Sequence, residues 1–127
     1  MDNRPIGVFD SGVGGLTALK ALRSIMPFEN IIYLADTANM PYGNKNKEEI
    51  VEFINKDLNF LKSKNVKAIL AACGTASSCM NLIQNSSENF IGVIKPACCA
   101  ALKITKNNKI GILGTSATIK SCSYRNE

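Results

Sequence analysis

Ile6-Gly7-Val8-Phe9-Asp10-Ser11-Gly12-Val13-Gly14-Gly15-Leu16 passes from a short apolar run, through small residues, into an amphipathic segment that ends at Pro27. An apolar run with little alternation suits a strand covered on both faces. The glycines suit a tight strand-to-helix turn, and proline stops the helix that follows. The same unit recurs downstream. Strands are expected at 6–9, 31–34, 68–71, 90–94 and 109–113. Helices are expected at 15–26, 47–64, 75–85 and 96–104, with another opening at Ser116; Pro96 suits the first turn of the fourth. Short β-branched runs alternating with longer amphipathic segments predict an α/β fold, a parallel sheet with helices on both faces.

The chain has 127 residues, enough for one compact domain with a core and too few for two. Hydrophobic residues at 46% and charged residues at 20% give the balance of a globular protein rather than a disordered one. Apolar runs such as Ala68-Ile69-Leu70-Ala71-Ala72 fall far short of the ~20 residues that cross a bilayer. With no signal-peptide-like segment at the start, the expected location is the cytoplasm, with no membrane partner. The net charge of +5 is spread along the chain and aromatics are 6%, so no basic, aromatic-interleaved patch points to nucleic acid. The excess of positive charge suits an anionic small molecule.

Five cysteines, Cys73, Cys79, Cys98, Cys99 and Cys122, form no C-x-x-C pair, and there is no histidine. Neither a zinc site nor Ser-His-Asp or Cys-His catalysis can be assembled from this chain alone.

In open α/β sheets ligands bind beyond the carboxyl ends of the strands. Small and hydroxylic residues crowd that rim: Asp10-Ser11-Gly12-Val13-Gly14-Gly15, Asp36-Thr37-Ala38-Asn39-Met40-Pro41-Tyr42-Gly43, Cys73-Gly74-Thr75-Ala76-Ser77 and Gly114-Thr115-Ser116-Ala117-Thr118. The glycine loop invites a dinucleotide-binding reading with Asp36 as the ribose acid. However, G-x-G-G replaces G-x-G-x-x-G, no P-loop lysine is present, and the Asp10 charge would oppose a pyrophosphate. Cys73 follows a strand and precedes a helix, so N–H groups at the helix start would stabilise a thiolate that acts as nucleophile or base. The bland alternative is a small buried hydrophobe. Cys79 reads as helix packing, and Cys98 and Cys99 as core.

Together and in this order, these loops resemble bacterial glutamate racemases. The resemblance is carried by the opening 6–16 run, by Tyr33-Leu34-Ala35-Asp36-Thr37 with Met40-Pro41-Tyr42-Gly43, and by Ala72-Cys73-Gly74-Thr75-Ala76-Ser77. Ile91-Gly92-Val93-Ile94 and Ile110-Gly111-Ile112-Leu113-Gly114-Thr115-Ser116-Ala117-Thr118-Ile119 complete it. It implies one lobe of a two-lobed racemase fold, most of it within residues 1–94, with 95–127 the beginning of the second lobe. It also implies cofactor-free, metal-free two-base proton transfer that interconverts L- and D-glutamate to supply D-glutamate for peptidoglycan. Cys73 would be one catalytic base, with Asp10 assisting proton handling or binding the ammonium. Ser11, Pro41, Tyr42, Gly43, Gly74 and Thr75 would join Asp10 in holding the substrate.

Two departures stand out. Gly74 occupies the place of the family's usual asparagine, and Lys95 that of an acidic residue. The second catalytic cysteine and its neighbouring histidine belong to a later region that this sequence does not contain. The chain alone is therefore expected to be inactive and either to self-associate or to need a separate second half. A truncated remnant that binds an acidic amino acid or a partner protein is the alternative, with a phosphate-binding α/β module behind it.

Overall fold

A computed structural model describes residues 2–83 and 89–127. Strand β1 (Ile6–Asp10) leads to helix α1 (Leu16–Ile25), β2 (Ile31–Ala35), a 3-10 turn (Tyr42–Asn44), α2 (Lys47–Ser63) and β3 (Ala68–Ala71). The four-residue helix α3 (Gly74–Ser77) follows, then a second 3-10 turn (Met80–Leu82), β4 (Phe90–Gly92) and α4 (Ile94–Ile104). Short helices α5 (Ser116–Lys120) and α6 (Ser123–Asn126) end the described chain.

The four strands form one parallel sheet in the order β2-β1-β3-β4. Register pairs Phe9 with Leu34 on one side and with Ala71 on the other, and Ala71 with Gly92. All five residues of the central strand β1 are buried.

Side chains alternate between faces along a strand, so Phe9, Ile69 and Ala71 share one face. They pack there with Ile50, Ile54, Leu58 and Leu61 of α2. Burial of each such side chain stabilises by about 1.5–3 kcal/mol, and that is why α2 holds its place. Its start is fixed by a capping box: Asn46 Oδ1 accepts from the Glu49 N–H at 2.8 Å, and Glu49 Oε2 accepts from the Asn46 N–H at 3.0 Å. Ile6, Val8 and Asp10 face the other way, where α1 begins: a side chain at Gly15 would run into Asp10, Ala72 and Tyr33. Helices therefore cover both faces, as the alternating pattern predicts.

Three expected elements differ. Residues 109–113 are not a strand; Ile110, Ile112 and Leu113 are exposed, and no strand among the described residues lies beside them. Their β-branched composition favours a ladder, but a strand exists only by pairing. The helix expected at 75–85 stops at Ser77. Ser78 Oγ donates to the Thr75 carbonyl at 2.7 Å and Ser77 Oγ to the Ala71 carbonyl at 3.0 Å, giving the backbone an alternative to helix. Positions 84 and 85 of that expectation lie outside the described residues. Strand β4 is shorter than expected because the Val93 N–H donates to Ser77 Oγ at 3.0 Å and the chain turns into α4 at Ile94.

Candidate active site

Asp10 and Cys73 stand at the same end of adjacent strands: β1 finishes at Asp10, and Cys73 lies two residues beyond β3. Both are buried. Asp10 Oδ2 accepts from the Gly12 and Gly15 N–H groups, each at 3.1 Å. The glycine loop thus wraps around this carboxylate, and those two N–H groups are taken. A pyrophosphate would have to displace Asp10 to use them, which weighs against the dinucleotide reading.

Gly15 makes the wrap possible. A Cβ there would sit 2.7 Å from Asp10 Cβ, 2.9 Å from Ala72 Cβ and 2.9 Å from the Tyr33 hydroxyl. The Tyr33 hydroxyl donates to the Gly12 carbonyl at 3.4 Å. Burial first, then the charges of Asp10 and Cys73, push the Tyr33 phenol up from its ordinary value.

The Cys73 sulfur accepts from the Ala76 N–H at 3.4 Å and lies 3.4 Å from Ser11 Oγ. Helix α3 is only four residues long, so the support expected from a helix start comes from one N–H rather than from the field of a long helix. Negative charge arriving on this sulfur meets an N–H and a hydroxyl within reach, the environment a thiol needs to take a proton and give it back.

The remaining rim residues come from three segments: the loop after β2, the start of α3 and the start of α5. Pro41 follows a cis peptide bond with Met40 and precedes the 3-10 turn. Gly43 lies so close to Thr115 that a Cβ would be 2.5 Å from the threonine Cβ. Thr75 Oγ1 lies 3.0 Å from Thr115 Oγ1 and 3.3 Å from Thr118 Oγ1, and those two hydroxyls are 3.0 Å apart. The Tyr42 hydroxyl points inward, 2.6 Å from Asp36 Oδ2 and 3.1 Å from Asp57 Oδ2. Gly74 has open space around its missing side chain, with nothing within 4 Å.

Sequence reasoning left Asp57 and the inward role of Asp36 unread. In the sequence Thr115 and Thr118 read only as hydroxylic rim residues, and the Thr115-Ser116-Ala117-Thr118 spacing is the one signal of their pairing. The other cysteines fall away from this centre. Cys79 is buried, and burial pushes its thiol up, as packing implies. Cys99 is exposed and Cys98 half-buried, so the core placement expected for this pair is corrected: α4 buries only Ile94 among its residues. A cavity of about 580 Å³ lies instead between α3, β4, α4 and α6, lined by Ser77, Met80, Phe90, Gly92 and Lys95, and Cys73 and Asp10 are not part of its wall. Among the described residues, no group of three or more potential ligands could hold a metal ion, and no helix is long and apolar enough to cross a membrane.

No protein-family model matches the chain. It is 51% identical over 126 residues to a glutamate racemase of Persephonella marina, a match that covers 96% of this chain and 48% of that protein. A crystal structure of a Francisella tularensis glutamate racemase in complex with D-glutamate superposes with a TM-score of 0.89 at 41% identity, over 99% of this chain and 48% of that one. A Bacillus anthracis glutamate racemase isoform superposes with a TM-score of 0.93, also at 41% identity and with the same coverage. The chain spans about half the length of the relatives it matches.

Proposed function

Because this chain is a homologue of the glutamate racemases that matches about half their length, we propose that it is the N-terminal part of such an enzyme and carries one of its two bases. Residues 1–94 then form most of one lobe, and 95–127 begin the other. The observation that carries this reading is the pairing of Cys73 Sγ with Ser11 Oγ across the ends of β1 and β3, beside the buried Asp10.

Cys73 as thiolate takes the Cα proton of glutamate and becomes a thiol. The electron pair left on Cα is delocalised into the α-carboxylate, and a thiol from the second lobe returns a proton to the opposite face. No cofactor enters the balance. Ser11, Thr75 and the backbone N–H groups of Tyr42, Gly43 and Gly74 hold the two carboxylates, Pro41, which has no N–H to give, shapes the loop against the substrate, and Asp10 meets the ammonium. Donors aimed at the α-carboxylate favour the transition state, where charge builds on it. In a cell the product would supply D-glutamate for peptidoglycan, and the protein would work in the cytoplasm. The Tyr42 hydroxyl is not assigned to substrate, because Asp36 and Asp57 already surround it.

The test is to incubate the chain with L- or D-glutamate in D2O and follow Cα deuteration beside optical rotation. Racemisation should be absent, because the proton has no donor on the second face. Racemisation that depends on Cys73 would mean that a second base lies within this chain. The alternative is a remnant that only binds an acidic amino acid or a partner protein; exposed Leu102, Ile104, Ile112, Leu113 and Ile119 are apolar side chains that a second copy or a separate second half would cover under either reading.

A further inference from the structure

Tyr42 is 1% exposed, its ring lies 5.5 Å from that of Phe53 on α2, and its hydroxyl sits between two carboxylates. Asp36, just after β2, is held from its other side by Asn39, whose Nδ2 donates to both carboxylate oxygens at 2.9 Å. Asp57 comes from the buried face of α2 and is 6% exposed.

Counting hydrogens decides the arrangement. A phenol carries one, and the 2.6 Å contact to Asp36 Oδ2 has the length of a charge-assisted O–H···O bond, so that hydrogen goes to Asp36. The 3.1 Å contact to Asp57 Oδ2 then needs a second hydrogen. Without it, lone pairs of two oxygens would face each other in a buried site, at a cost that buried polar groups do not bear. Asp57 can supply that hydrogen only as a carboxylic acid that donates to the phenol oxygen.

We propose that Asp57 is a positioning residue: in its neutral form it ties the Tyr42–Gly43 loop to α2, and its ionisation loosens that loop where it touches Thr115. The link to the site runs through adjacent Gly43, which abuts Thr115, whose hydroxyl in turn lies 3.0 Å from that of Thr75. The functional side of the proposal rests on the racemase reading, because the backbone of Tyr42 and Gly43 is assigned there to substrate.

The surroundings agree with a neutral Asp57. Burial, and next the negative charge of Asp36, push its carboxyl up to about 7, with the phenol contact working the other way. The groups that face it are Asp36 from the β2 loop and Tyr42 from the 3-10 turn. On its own helix, Lys56 is paired with Glu52 at 2.7 Å on the exposed side. Because the folded-state value is raised, the stability contributed is complete below the ordinary value of 3.8 and is lost as pH climbs towards about 7. Through that window the folding constant, measured relative to Asp57→Asn, falls by up to about tenfold per pH unit.

The experiment is a carboxyl-carbon NMR titration of the full chain from about pH 4 to about pH 10, roughly three units either side of the expected midpoint, with the Gly43 amide and Thr115 methyl followed together. The expected result is an Asp57 midpoint near 7, the same midpoint at Gly43 and Thr115, and loss of that titration in Asp57→Asn with both signals at their low-pH positions. A midpoint in the ordinary carboxylate range, or Gly43 and Thr115 signals that do not follow Asp57, would overturn the proposal. Wild-type chain suffices for the decision should the variant not fold. No substrate is needed, so failure of the racemase reading would show elsewhere, in the glutamate assays, and leave this titration standing.

Discussion

Gly15 and Gly74 are glycines of opposite kind. A methyl group at Gly15 would fall within 3 Å of Asp10, Ala72 and Tyr33, three side chains fixed by the sheet. Gly15→Ala should destabilise by about 1–3 kcal/mol, as overpacking of a tight site does, and should disturb Asp10 with it. Gly74 has nothing within 4 Å, so Gly74→Asn, which restores the amide usual in the resembling family, should change stability by no more than about 0.5 kcal/mol. Urea unfolding of both variants beside the parent checks the pair. A tolerated Gly15→Ala would mean that the glycine loop is not packed around Asp10 as described. At this scale the sequence was informative where a residue follows a strand: Asp10 and Cys73 stand out because strand ends are where open sheets bind. Asp57 did not, because on a helix carrying Glu48, Glu49, Glu52 and Lys56 one more acid looks like a solvated face. Only the packed structure turns it inward.

Among the elements, four parallel strands and the long helices α1, α2 and α4 were legible from apolar runs, proline stops and helical periodicity. What failed was local pattern without its tertiary partner. Residues 109–113 have strand composition but no neighbour to pair with among the described residues, and 75–85 have helical spacing that serine side-chain hydrogen bonds interrupt. A run held by few contacts opens readily. Amide hydrogen exchange should therefore be fast through 109–113 and slow through β1 and β3, with α5 intermediate because Thr118 is buried beside Thr75. Strong, uniform protection through 109–124 would mean that this region is held by interactions absent from the described packing.

For the whole molecule, the parallel order β2-β1-β3-β4 brings Asp10 and Cys73 to the same end of neighbouring strands, and the chain matches about half of each relative. The most direct measurement joins this chain to the remaining half of the Persephonella marina homologue, the part the match does not cover. Glutamate racemisation is then followed in D2O for the chain alone, the fusion, and the fusion carrying Cys73→Ser. The expected result is a racemising fusion that incorporates deuterium at Cα, a loss of about 100-fold or more on Cys73→Ser, and no racemisation by the chain alone. A fusion whose racemisation survives Cys73→Ser, or a chain that racemises by itself, would contradict the assignment of Cys73 as one base of a divided pair.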